Sequence, residues 1–171
     1  MIEIYTHPYK TLETVSTPFD FATDTIPHYN DLEKFEVDVV NAMHGAYGMG
    51  LAANQIGITK RFFAIGHNTF DTFQKSAIIW NPLIKTQSEE KVFDVEGCLS
   101  FPDIFVKVER PKQIEVQYET TQGETKTARL NGMESKCFQH ELDHLEGITF
   151  NKKVSKLKWE MATKRSEKQN A

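Results

Sequence analysis

The chain has 171 residues, 39% hydrophobic and 26% charged, with a formal net charge of −4. That length and balance suit one globular domain with a real core and exclude an intrinsically disordered chain. Its longest apolar runs are a few residues, such as Ala77-Ile78-Ile79-Trp80, too short to span a membrane.

Residues 1–27 read as irregular, punctuated by Pro8, Pro18 and Pro27. The opening Met1-Ile2-Glu3-Ile4-Tyr5 carries neither a basic nor an apolar signal-type stretch. With only Cys98 and Cys137 in the chain, the expectation is a cytoplasmic protein with reduced thiols. Leu32, Phe35, Val39 and Met43 then recur at helical spacing among Glu33, Lys34, Glu36 and Asp38, which predicts an amphipathic helix capped by Asn30 or Asp31. Gly45 and Gly48 end it, and a glycine-rich turn runs to Gly50. From here the pattern changes to short β-branched and aromatic segments: 61–65, 77–80, 91–95, 104–108, 113–119 and 125–130. Thr121-Gln122-Gly123 suits a hairpin loop between the last two. Asn131 and Glu134 resemble a capping box for a second helix that stops at Gly147. A third helix is predicted from about Val154. Residues 152–168 hold Lys152, Lys153, Lys156, Lys158, Lys164, Arg165 and Lys168 against only Glu160 and Glu167. The order predicts one α+β domain over 1–171, with short, mostly antiparallel strands around a central helix and a basic tail at 152–171.

The second helix carries His140-Glu141-Leu142-Asp143-His144, an H-E-x-x-H motif. Residues i and i+4 share a helix face, so both imidazoles reach one ion while Glu141 stands beside it to handle a water proton. This pattern points to metal-assisted hydrolysis. A catalytic site wants a third protein ligand and an open position. An extension to a further histidine fails, because Phe150 occupies the required place. Two candidates remain: Cys98, in Glu96-Gly97-Cys98-Leu99-Ser100 after a predicted strand, and Glu160 on the following helix. With Glu160 the chain would read as a small zinc endopeptidase. With four protein ligands the site would be structural instead.

Three blocks now stand in order: Gly48-Met49-Gly50-Leu51-Ala52-Ala53-Asn54-Gln55, Glu96-Gly97-Cys98-Leu99-Ser100 and Gln139-His140-Glu141-Leu142-Asp143-His144. Together they closely resemble the peptide deformylase family, over about Tyr5 to Lys158. The resemblance implies a hydrolase that removes the formyl group from N-formylmethionyl nascent chains and releases formate. It implies Cys98, His140 and His144 as metal ligands around an ion that activates water to hydroxide, with Glu141 as general acid/base. Gln55 (side-chain amide) and Leu99 (backbone N–H) become the oxyanion donors. Met49, Gly50, Gly97, Met133 and Cys137 fall where the family binds substrate, and Glu96 with Arg110 forms a supporting pair. Gln139 is read as orienting a ligand.

The resemblance also implies ferrous iron as cofactor, with zinc, nickel or cobalt as replacements. The substrate would be a nascent chain, and residues 152–168 would contact the ribosome, with neither DNA nor membrane as a partner. Two departures from the family pattern stand out. Lys136 replaces an apolar residue one turn before His140, its stem suited to covering apolar surface and its charge suited to an acidic residue downstream of the formylmethionine. Glu13 replaces a basic one after Leu12.

Overall fold

Asp31 caps the first helix, its side chain accepting from the backbone N–H groups of Glu33 (2.9 Å) and Lys34 (3.3 Å). The computed structural model describes residues 2–169, and this helix, α1, spans Leu32–Gly45. Phe35, Val39 and Met43 form its buried face. The Phe35 ring meets Phe62 edge-on at 5.4 Å and lies tilted against Trp80, all three fully or nearly fully buried. Large apolar side chains buried to this degree each contribute roughly 1.5–3 kcal/mol.

Among the described residues seven strands follow: β1 Gly50–Ala52, β2 Phe62–Ile65, β3 Ala77–Gln87, β4 Lys91–Cys98, β5 Phe101–Pro111, β6 Gln113–Glu119 and β7 Thr125–Asn131. They form an antiparallel sheet in the order β1-β2-β3-β6-β7 and a separate antiparallel pair, β4-β5. β1 is unexpected. Its three residues lie in what reads as a glycine turn, and only pairing of Gly50 with Ile65 and Ala52 with Phe63 makes it a strand. β3 also runs past the expected 77–80. Pro82 does not stop it because the register shifts between Trp80 and Leu83, a bulge that spares the missing N–H. The β6–β7 hairpin turns through Gly123 at φ 76°, as its loop residues suggest.

Helix α2, Gly132–Leu145, lies against β1, β2 and β7 on one side and β5 on the other. Phe138 anchors it, edge-on to Phe63 at 4.9 Å. The expected capping box does not form. Asn131 holds the N-cap position without a side-chain bond, and Glu134 turns inward to accept from the N–H groups of Thr72 (3.0 Å) and Phe73 (2.6 Å). Two backbone donors of a loop outcompete the local cap. The third helix, α3, spans Lys156–Gln169. Its Trp159 packs edge-on to Phe101 and Phe150, 5.5 Å from each. No helix among the described residues is long and apolar enough to cross a membrane. The arrangement is the α+β fold expected, with α2 between the two sheets.

Candidate active site

Helical spacing puts His140 and His144 on one face of α2, ring centroids 5.0 Å apart. Cys98 arrives from the end of β4, its Sγ 3.2 Å from His144 Nε2. One ligand atom from each of Cys98, His140 and His144 lies within 4.8 Å of the others, the one such group of three among the described residues. Glu160 is not in it; that side chain lies on α3, 3.8 Å from Lys156. The donor set of one sulfur and two imidazoles fits a borderline divalent ion and leaves a fourth position open, unlike a closed structural site. Both cysteines are free, so no disulfide competes for Cys98.

Glu96 orients His140. Its Oε2 lies 2.9 Å from His140 Nδ1, which turns Nε2 toward Cys98 and His144. Arg110 holds Glu96 through two bonds, including Nη2 to Oε2 at 2.9 Å, and reaches Asp143 of the motif at 2.7 Å. Burial alone would raise the Glu96 pKa, but bonds from Arg110 and His140 outweigh it and hold the carboxyl at about 2. The two rings differ. Burial disfavours both imidazolium forms, yet contacts with Cys98 and Glu96 push His140 well above its ordinary value. His144, whose Nδ1 has no partner among the described residues, is driven well below its ordinary value by burial and by the His140 charge.

Glu141 points into the same space. Burial pushes its pKa up to about 7, and its Oε2 has no hydrogen-bond partner among the described residues. Gly50 makes room for it: a Cβ there would sit 2.6 Å from Glu141 Cγ and Cδ. Gln55 is fully buried on the turn Ala53–Ile56. Its Oε1 accepts from Ala52 N–H (2.8 Å), which fixes the amide so that Nε2 faces Ser100 Oγ (3.0 Å) and Cys98 Sγ (3.6 Å).

These residues border a cavity of about 530 Å³. Met49, Gly50, Gly97, Leu99 and Cys137 line it, with Cys98, His140, Glu141 and Gln55 at the same cavity. Cys137 is buried, which pushes its thiol pKa well up, and its Sγ faces the Met49 carbonyl at 3.4 Å. Met133 lies outside this lining, 46% exposed on the first turn of α2. Among the described residues Gln139 has no hydrogen bond to Cys98, His140 or His144; it donates to the Pro111 carbonyl (2.9 Å) and to Ser135. Lys136 lines the cavity, but its ammonium is held by Asp94 Oδ2 (2.6 Å) and the Val95 carbonyl (3.2 Å). Sequence reasoning gave no role to Ser100, which accepts from Gln55 and donates to the Tyr5 carbonyl (2.8 Å). Its place two residues after Cys98 is the available signal.

The model of the polypeptide deformylase family matches residues 1–160. A peptide deformylase of Bartonella tribocorum is 38% identical over 98% of this chain and 92% of its own length. The crystal structure of peptide deformylase from Thermotoga maritima superposes with a TM-score of 0.79 at 35% identity, covering 91% of this chain and 98% of that one. A Met-Ala-Ser-bound peptide deformylase of Acinetobacter baumannii gives 0.80 at 28% identity, covering 90% and 98%. Sequence and fold agree over nearly the full length on both sides, and the chain therefore belongs to the peptide deformylase family.

Proposed function

We propose that this protein hydrolyses the N-formyl group of N-formylmethionyl nascent polypeptides and releases formate. The observation that carries the reading is Glu141: a buried carboxyl, its Oε2 without a partner among the described residues, beside a Cys98/His140/His144 donor set. Cys98 Sγ and the two Nε2 atoms would hold a divalent ion, which supplies Lewis acidity toward the formyl oxygen and the attacking water. Glu141 accepts a proton from that water and later delivers it to the departing amine, a role suited to a carboxyl with pKa near 7. Gln55 Nε2 and the Leu99 N–H donate to the oxygen as it gains charge; losing one such donor costs about 10²–10³ in turnover. Met49, Gly50, Gly97 and Cys137 contribute to the pocket for the formylmethionine, and Lys136 adds a wall of methylenes. Because Asp94 and Val95 already engage its ammonium, we assign Lys136 to that wall rather than to recognition of an acidic residue.

The working metal in this reading is Fe²⁺, with zinc, nickel or cobalt as replacements. Protein purified anaerobically with iron is expected to release formate from formyl-Met-Ala-Ser and to lose activity in air as iron is lost. Full activity with zinc alone and none with iron would reject the iron assignment, and no formate with any of these metals would reject the function. The basic face of α3 is assigned to the ribosome, where Lys164, Arg165 and Lys168 would meet RNA phosphates.

A further inference from the structure

The two histidines of the donor set are not supported alike. His140 Nδ1 meets the Glu96 carboxylate, whereas His144 Nδ1 is buried without a partner among the described residues. His144 Nε2 is the nitrogen that faces Cys98. A neutral ring that binds through Nε2 carries its proton on Nδ1, and that proton needs an acceptor. One other orphan is attached to the same residue. Asn54, 0% exposed on the turn Ala53–Ile56, donates its Nδ2 to the His144 carbonyl, while its Oδ1 is buried and unpaired. A buried proton without an acceptor and a buried carbonyl without a donor are complementary defects, each costing about 1–3 kcal/mol if left unmet. The amide torsion of asparagine is broad, which leaves Oδ1 free to turn about its anchored side chain.

We propose that Asn54 is the positioning residue of His144: its Oδ1 accepts the Nδ1–H when the ring binds metal, as Glu96 does for His140. The inference rests on the reading that Cys98, His140 and His144 hold the ion. It gives the two rings unequal support, a carboxylate behind His140 and a neutral amide behind His144. Asn54 thereby couples the turn that carries Gln55 to the helix that carries the histidines.

The test uses the full chain loaded with Zn²⁺ and has readouts other than turnover. In ¹⁵N-histidine-labelled wild-type protein, the His144 Nδ1–H is expected to exchange slowly with solvent; rapid exchange overturns the proposal whatever the variants do. Asn54→Leu removes the acceptor and is expected to release zinc to a chelator about 10–100-fold faster. Asn54→Asp keeps an acceptor but loses the donor to the His144 carbonyl, and is expected to stay within a few-fold of wild type. Equal acceleration in both variants would show that only the carbonyl anchor matters, and unchanged release in Asn54→Leu would show that neither does; either result overturns the proposal. Zinc retention unaffected by Cys98→Ser would overturn the metal reading and this inference with it.

Discussion

A methyl group added to Gly50 would collide with Glu141 Oε1 and lie 2.6 Å from its Cγ and Cδ, closer than real Cβ atoms approach. Glu141 has to move, because Gly50 lies in a paired strand and cannot. Gly50→Ala is therefore expected to lower formate release by about 10²-fold, the scale of a misplaced reacting group, while zinc content and Tm stay close to wild type. Unchanged turnover would mean that the glycine serves something other than Glu141. This is also where the sequence is most and least readable. His140, Glu141 and His144 declare themselves by spacing alone, since helix geometry converts i and i+4 into one face. Gln139 and Asn54 do not. Each is a buried amide beside the motifs, and which backbone carbonyl it reaches depends on where β5 and α2 end in space: Pro111 for Gln139 and His144 for Asn54.

Between elements, Lys136 of α2 and Asp94 of β4 form a latch across the cavity wall. The bond from Lys136 is the main cause that holds the Asp94 carboxyl below its usual range. A carboxyl whose folded pKa lies below its unfolded value of about 3.9 stabilises the fold above that pH and ceases to do so as pH falls through the folded pKa. The gap in Tm between wild type and Asp94→Asn should thus be open near neutrality and shrink below about pH 4. A gap that stays constant across that range would deny the ion pair its role. Elsewhere, local rules succeed where nothing distant competes, as at Asp31 and in the β6–β7 turn. They fail at Asn131 and Glu134, where Thr72 and Phe73 supply donors more than sixty residues away in sequence. β1 is invisible for the same reason: three residues become a strand only because β2 lies beside them.

At the scale of the molecule, the tail is both a structural cover and a charged face. Trp159 seals Phe101 and Phe150, and the Phe150 ring lies 5.8 Å from His140. Cutting the chain at Val154 would therefore disturb the interior as well as the surface. The two roles separate by substitution. Trp159→Ala is expected to destabilise by about 1–3 kcal/mol, the worth of its two ring pairs, seen in thermal or denaturant melts. Replacing Lys164, Arg165 and Lys168 by glutamate should instead reduce co-sedimentation with ribosomes and leave release of formate from a free tripeptide intact; undiminished co-sedimentation would retire the ribosome assignment. The placement of Cys98 has a mechanical corollary. The Cys98 sulfur comes from the edge of a two-stranded ribbon, and the imidazoles come from a helix packed on the other sheet, 46 residues along the chain at His144. A cation gripped by all three would be a rivet through two layers, so the affinity that would equip the protein for chemistry would also clamp its halves together, and stripping the ion would loosen the whole body rather than one corner of it.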